Sequence, residues 1–357
     1  MRKLLIALLI CAGLFGLVAL GGYFYPRQVA ISRSLVIEAP RWAIYEEIKD
    51  LRRFENWSPW AELDPQAQIE FEGDVGPGQV FRWKSEKREV GAGALQVVYL
   101  KEDEIVELNL YLDQESSEWC RVSLVLKLVP EGTEITWKLN GDTGINPLMR
   151  YVFHFMVREE LEGQYEKGLD KLKRLVEAKA RPLVEITPKK VEDFRYFATL
   201  PRETTESKLS DDMGESFPYL YEKGFPTLRN KRGRRFQHKD LPSMTIYLSY
   251  EEAEQPSYVD PKITYQAALE IPSDARIYPP NPEEFVSDKI KGGRYLIGIH
   301  KGSYDGLKNS HKEIAEYLDR NALKLNGPVI EKYVVSMWDT DDETSYETQI
   351  FYPVVQR

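Results

Sequence analysis

Histidine and cysteine are scarce: four His and two Cys, Cys11 and Cys120, stand in 357 residues. Two thiols offer no disulfide framework and cannot by themselves close a zinc site. His154, His238, His300 and His311 lack metal-ligand spacing, so neither a metal nor a cofactor is expected. The sequence also has no Gly-x-Ser-x-Gly elbow, no phosphate loop ending in Gly-Lys-Ser/Thr, no His-Glu-x-x-His and no helix-turn-helix. Gly76-Pro-Gly78 and Gly91-Ala-Gly93 fall between antiparallel strands, which makes them turns and not dinucleotide loops. Positive charge is not in excess: 57 Asp and Glu against 48 Lys and Arg give a net charge of -9. That balance repels nucleic acid, and no nucleic-acid partner is expected.

What is present is a globular composition, 42% apolar and 29% charged, rich in aromatic residues with 21 Tyr, 14 Phe and 7 Trp. At about 150 residues per domain the length predicts two domains. One local run stands apart: Leu4 to Phe24 carries no charge over 21 residues. At about 1.5 Å per residue a helix there would cross a hydrocarbon core of about 30 Å. Arg2 and Lys3 precede it, and Tyr23, Phe24 and Tyr25 close it as an interfacial belt before Pro26 and Arg27. A cleaved signal peptide is the competing reading, but the apolar region is long and no small-x-small cleavage site follows. Bulky Ile10 speaks against lipoprotein processing at Cys11. Residues 1–27 are thus expected to be a membrane anchor, giving a single-pass protein of the bacterial inner membrane. Arg2 and Lys3 on one side face Arg27, Arg33 and Arg41 on the other, so either orientation stays open, the short basic tail favouring the soluble part outside the cytoplasm.

From Ile31 the pattern is a strand followed by a helix, with Pro40 in the first turn and Ile44, Ile48 and Leu51 at helical spacing. Three clear period-two segments follow: Val106, Leu108, Leu110, Leu112; Val122, Leu124, Leu126, Leu128; and Ile135, Trp137, Leu139. Each predicts a strand with one buried face, together an antiparallel meander. After Asn146 and Pro147 a long helix is predicted, its stripe formed by Leu161, Tyr165, Leu169, Leu172 and Val176. Six of the seven Trp (Trp42, Trp57, Trp60, Trp83, Trp119, Trp137) lie in this half, where a curved sheet and a helix can enclose a cavity.

Ser34-Leu-Val-Ile-Glu-Ala-Pro40, Asp50-Leu-Arg-Arg-Phe-Glu-Asn-Trp-Ser-Pro-Trp60, Phe81-Arg-Trp-Lys-Ser85 and Tyr165-Glu-Lys-Gly-Leu-Asp-Lys-Leu-Lys173 resemble the SRPBCC/START-like superfamily in its polyketide cyclase/dehydrase-like branch, over 31–178. The resemblance implies a helix-grip fold whose hydrophobic cavity takes lipids, hormones or polyketides. After the link 179–183 a second domain is expected over 184–357. It reads as strand (Val191 to Ala198), helix (Lys208 to Lys223) and strands (Met244 to Tyr250, Lys262 to Ile271). The order then returns as strand (Gly293 to Lys301), helix (Tyr304 to Leu323) and strands (Val329 to Met337, Thr348 to Tyr352). A βαββ unit therefore occurs twice, by order and not by residue identity.

Gly293-Arg-Tyr-Leu-Ile-Gly-Ile-His-Lys-Gly-Ser-Tyr-Asp-Gly-Leu307, Asn326-Gly-Pro-Val-Ile-Glu-Lys-Tyr333 and Glu347-Thr-Gln-Ile-Phe-Tyr-Pro-Val354 resemble the GyrI-like effector-binding domain that is fused to many AraC- and MerR-type regulators. This resemblance implies a cleft for amphipathic, often cationic, aromatic molecules with a buried acidic counter-charge. Both resemblances together imply an α+β chain.

Glu331 stands in Val329-Ile-Glu-Lys-Tyr-Val-Val335, where a carboxylate among apolar residues either has a raised pKa or needs a cation. It matches the acidic position of the resemblance, against the alternative of a solvent-facing Glu on an edge strand. Tyr333 shares its face, and Tyr304, Trp338, Tyr196, Tyr247 and Tyr265 are aromatic candidates for the same cleft, each also readable as core. Glu270 is a second candidate counter-charge. In the first domain Trp57 and Trp60 either wall a cavity or plug it. The basic run Arg229, Lys231, Arg232, Arg234, Arg235, His238 and Lys239 reads as an anion-touching surface or a solvated loop, and Asp339, Asp341, Asp342 and Glu343 as a turn. The expected function is non-covalent capture of a hydrophobic or amphipathic small molecule by a membrane-anchored protein with two binding modules, with membrane lipid contacted through the anchor. The rival is an enzyme of the cyclase or GyrI-like hydrolase type with Glu331 as general base and Tyr333 or Tyr304 as donor.

Overall fold

The described residues of this computed structural model are 13, 21–112, 120–144, 146–179, 183–250, 260–278 and 283–356. The chain divides into two units, Met1–Ala180 and Arg181–Arg357. Both mix antiparallel sheet with a few helices.

Unit 1 contains β1 (Gln28–Ile37), α1 (Arg41–Ile48), β2 (Gln68–Glu72), β3 (Val80–Lys84), β4 (Ala92–Lys101), β5 (Ile105–Tyr111), β6 (Cys120–Val129) and β7 (Gly132–Asp142). It then continues through α2 (Pro147–Val152) and a π turn into α3 (Arg158–Lys179). The seven strands form one antiparallel sheet in the order β1-β7-β6-β5-β4-β3-β2. The period-two residues account for it: Val106, Leu108, Val122, Leu124, Leu126, Ile135, Trp137 and Leu139 point to one buried face. On that face lies the α3 stripe, with Tyr165, Leu169, Leu172 and Val176 buried in the same cluster and Leu161 at its margin. Gly168 lets the helix come close, because a Cβ there would stand 2.8 Å from the Trp137 ring. Two expectations shift slightly. Pro40 is the N-cap of α1 and not part of its first turn, and Leu112 lies beyond the end of β5, exposed.

The single-pass membrane expectation is corrected. Among the described residues no helix is long and apolar enough to cross a membrane. The one helix of sufficient length among the described residues, α3, is charged on all but one stripe. The run proposed as an anchor lies outside the described residues over 4–12 and 14–20. Tyr25, expected in an interfacial belt, instead packs edge-on against Tyr151 (5.7 Å between ring centroids) and Phe155 (5.4 Å).

Unit 2 opens with β8 (Val184–Val191), β9 (Phe194–Thr199), β10 (Arg202–Thr205), α4 (Leu209–Tyr219), β11 (Leu228–Arg229), β12 (Ser243–Tyr250) and β13 (Lys262–Ile271). It continues with β14 (Arg276–Ile277), β15 (Phe285–Ile290), β16 (Gly293–Lys301), α5 (Leu307–Arg320), β17 (Leu323–Leu325), β18 (Val329–Val335) and β19 (Glu347–Gln356). The main sheet runs β15-β9-β13-β12-β18-β19-β16-β8, with β10 added beside β13 and β17 beside β19. The repeat read from element order is present as β9-α4-β12-β13 and β16-α5-β18-β19, joined at the central antiparallel pair β12/β18. Each half has a leading strand that crosses to the other half: β8 pairs with β16, and β15 with β9. The single strand expected over Val191 to Ala198 is two, broken at Glu192–Asp193, where the Asp193 carboxylate accepts the Gly292 N–H at 2.7 Å.

Both helices of unit 2 lie on one face of the sheet. Phe217 of α4 packs on Phe197, Ala267 and Leu269, and Leu307, Ile314 and Leu318 of α5 pack on Leu296, Ile350 and Tyr352. The opposite face carries a separate cluster that includes Tyr196, Met244, Ile246, Ile330 and Phe351.

Candidate functional site

On the helix-bearing face, one row of in-register residues crosses five strands: Ala267, Thr245, Glu331, Ile350 and Gly298. Glu331 is at its centre, 2% exposed. Gly298 at the end of the row sets the helix height, because a Cβ there would meet the Ile314 and Val184 side chains at 2.6 Å. Ile314 therefore rests directly on the sheet, and His311, one turn earlier in the same stripe of α5, comes to lie over the carboxylate.

The carboxylate is fully engaged. His311 Nε2 lies 2.6 Å from Glu331 Oε1, and the Tyr333 hydroxyl donates to Oε2 at 2.8 Å. The Tyr247 hydroxyl also acts on the carboxylate as a donor. The outer shell is as ordered: Thr245 Oγ1 is 2.8 Å from the Tyr333 hydroxyl, and His311 Nδ1 is 2.8 Å from the Tyr352 hydroxyl. Tyr304 packs edge-on against Tyr333 at 5.7 Å, and Phe217 does so from the other helix at 5.9 Å. Thr348, the in-register neighbour of Tyr333, has a buried hydroxyl with no hydrogen-bond partner among the described residues.

The electrostatics follow from this arrangement. Burial alone pushes the Glu331 carboxyl up, but the hydrogen bond and charge of His311, with the Tyr333 and Tyr247 hydroxyls, outweigh it and hold the group below the usual carboxylate range. Burial first, and the Glu331 charge second, drive Tyr247 and Tyr333 far upward, so both keep the protons they donate. A depressed folded-state pKa stabilises the fold above the unfolded value and loses that contribution as pH falls through the folded one. We therefore expect the stability advantage of the wild type over Glu331→Gln to be full at pH 7. It should shrink as pH falls below about 4.3, the ordinary Glu value. Urea unfolding of both proteins between pH 7 and pH 3 checks this, and a difference independent of pH would refute it.

Of the residues singled out in sequence, the structure brings together Glu331, Tyr333, Tyr247 and Tyr304. Tyr265 is beside Tyr247 in register, but its hydroxyl shares a hydrogen bond with the Ser216 hydroxyl of α4 at 2.9 Å. Tyr196 and Glu270 are corrected: they face each other across β9 and β13 on the opposite side of the sheet. There Glu270 pairs with Lys332 Nζ at 2.5 Å. Strand alternation is the reason, since Lys332 and Glu331 point to opposite faces. Trp338 sits past the end of β18, 62% exposed, with Tyr221 at 6.5 Å, and does not reach Glu331.

Trp57 and Trp60 join one aromatic cluster of the first unit. Trp57 is 5.3 Å and Trp60 6.0 Å from Trp137, which stacks on Tyr165 at 4.0 Å. The basic run forms an exposed hairpin bridged between Arg229 and Arg235, with Asn230 Oδ1 accepting the Arg232 and Arg234 N–H groups. Asp339 and Asp342 are engaged locally, holding Ser336 and capping the turn at Thr344.

Sequence reasoning missed His311, Tyr352, Thr245 and Thr348. A signal for His311 existed: Leu307, His311, Ile314 and Leu318 fall at i, i+4, i+7 and i+11, so the one histidine of an apolar stripe faces the sheet.

Residues 208–355 match the family model of the GyrI-like small molecule binding domain. Unit 2 contains a GyrI-like domain. No curated protein matches the chain. Among solved structures the chain is similar to EcmrR in a cryo-EM structure of its DNA complex, with 15% identity over 59% of this chain and 71% of that one and a TM-score of 0.39. It is also similar to the EcmrR C-terminal domain (17% identity, 49% and 99% covered, TM-score 0.34). A third similarity is to the Aha1 dimer from Colwellia psychrerythraea (16%, 42% and 96%, TM-score 0.31). In the GyrI-like domain of this chain both oxygens of the central carboxylate are already met by the protein's own donors.

Proposed function

We propose that the chain captures an amphipathic small molecule without transforming it, in the cleft between α4 and α5 over Glu331. The observation that carries this reading is a buried, ionised carboxylate at the joint of two half-domains, ringed by Tyr247, Tyr333, Tyr304 and Phe217. Aromatic faces supply apolar area and attract cations, and a central carboxylate fixes orientation and charge preference. The unpartnered Thr348 hydroxyl beside Tyr333 adds a polar anchor. Catalysis with Glu331 as general base is less well supported, because a carboxylate held below its ordinary range and bonded to three donors is a poor proton acceptor near neutrality.

For unit 1 we propose a START-like helix-grip module, a reading supported by its strand, helix, meander and long-helix order. Its aromatic interior at Trp57, Trp60 and Trp137 favours apolar ligands.

Native mass spectrometry of the full chain, purified from its own cells beside Glu331→Gln, tests the proposal. A bound amphiphile present in the wild type and lost in the variant is the expected result. Retention in the variant would move the ligand away from this cleft, and no bound mass in either protein would count against capture altogether.

A further inference from the structure

The GyrI-like cleft was expected to offer a bare acid to a cationic ligand. Here the acid is not bare. Three donors meet Glu331, and they differ in one respect that decides which of them a ligand can replace. Tyr333 and Tyr247 come from the sheet on which Glu331 itself sits, and the Tyr333 hydroxyl is held a second time by Thr245 at 2.8 Å. His311 comes from α5, and its side chain is 24% exposed against 3% for Glu331. It therefore stands between solvent and the carboxylate. In either protonation state Nε2 carries the proton facing the ionised Glu331, while Nδ1 meets Tyr352.

We propose that His311 is the specificity-determining residue of this cleft: it occupies the place on Glu331 that a ligand's cationic nitrogen takes, so that only ligands able to displace it bind. This rests on the reading of the cleft as a ligand site. Displacement exchanges the His311 hydrogen bond for the direct attraction of a full positive charge, so a neutral ligand has nothing to offer in return and is excluded from the carboxylate. A cation gains the Glu331 charge only after His311 has left it, which lowers its apparent affinity by the strength of that bond. The sheet tyrosines stay in place throughout the exchange.

The probes are phenyltrimethylammonium and tert-butylbenzene, which have the same shape and differ by one charge. Binding to the full-length wild type, His311→Leu and Glu331→Gln is measured by calorimetry. His311→Leu should bind phenyltrimethylammonium about tenfold to a hundredfold more tightly than wild type, the worth of one hydrogen bond to a charged group. Its affinity for tert-butylbenzene should not change, and Glu331→Gln should lose the preference for the cation. The cation, and not its neutral twin, should also raise the melting temperature of His311→Leu more than that of the wild type.

If His311→Leu does not fold, the imidazole N–H signals of the wild type decide. With only four His in the chain, the His311 Nε2–H resonance can be assigned, and it should move on adding the cation while those of His154, His238 and His300 stay. Equal or weaker cation binding by His311→Leu, or an unmoved His311 signal at saturation, overturns the displacement role while leaving the cleft as a ligand site if Glu331→Gln still loses cation preference. A cation preference absent from the wild type and from His311→Leu alike overturns both.

Discussion

Trp137→Ala should destabilise unit 1 by about 3–5 kcal/mol, the range for truncating a buried large aromatic residue. Trp137 is 3% exposed and is the point where the other rings converge: Phe54 at 6.4 Å, Trp57 at 5.3 Å, Trp60 at 6.0 Å and Tyr165 stacked at 4.0 Å. Truncation leaves a cavity that four rigid rings and a helix seated by Gly168 cannot collapse into. The indole N–H has no partner among the described residues, so its loss returns nothing to the ledger of hydrogen bonds. Urea unfolding followed by tryptophan fluorescence isolates the effect, because Trp338 is the only Trp outside unit 1. A midpoint shift worth less than about 1 kcal/mol would mean that the rings repack and the cluster is plastic.

His311→Leu should cost unit 2 about 1–3 kcal/mol, because it removes a hydrogen-bond donor from a buried carboxylate and puts nothing polar in its place. The size follows from the burial of Glu331, whose side chain is 3% exposed. Adding Glu331→Leu to His311→Leu should recover part of the loss, since the buried charge is gone while the Tyr333 and Tyr352 hydroxyls lose a partner each. The two changes are therefore non-additive, and a double-mutant cycle read from hydrogen exchange of the β18 and β19 amides measures their coupling. Additive losses would show that His311 contributes packing alone.

Much of the architecture was legible in one dimension. The alternation at Val106–Leu110, Val122–Leu126 and Ile135–Leu139 named the buried face of β5, β6 and β7, because side chains on a strand repeat every two residues whatever the strand pairs with. Tyr165, Leu169, Leu172 and Val176 named the inner stripe of α3 for the same kind of reason. The order of elements from Val184 onward carried the repeat, although each leading strand crosses to the other half, which no local pattern records. The apolar run after Lys3 shows the limit of such reading: hydropathy and length alone led to a membrane-spanning helix, and no described helix has that character.

The site divides along the same line. Sequence by itself determined that Glu331 was an anomaly in an apolar strand, that Tyr333 shared its face, and that Lys332 did not. Those are consequences of strand period, a property each residue carries locally. What only the tertiary structure decided was who answers the charge. His311 is 20 residues away, Thr245 lies on β12 and Tyr352 on β19, and they meet Glu331 because three strands align in register and Gly298 lets α5 press down on them. Tyr196 and Glu270 were placed in the cleft by composition and removed from it by the sheet, whose two faces a list of aromatic and acidic residues cannot distinguish. Side-chain direction along a strand is local, whereas the partner that a buried charge finds is a property of packing.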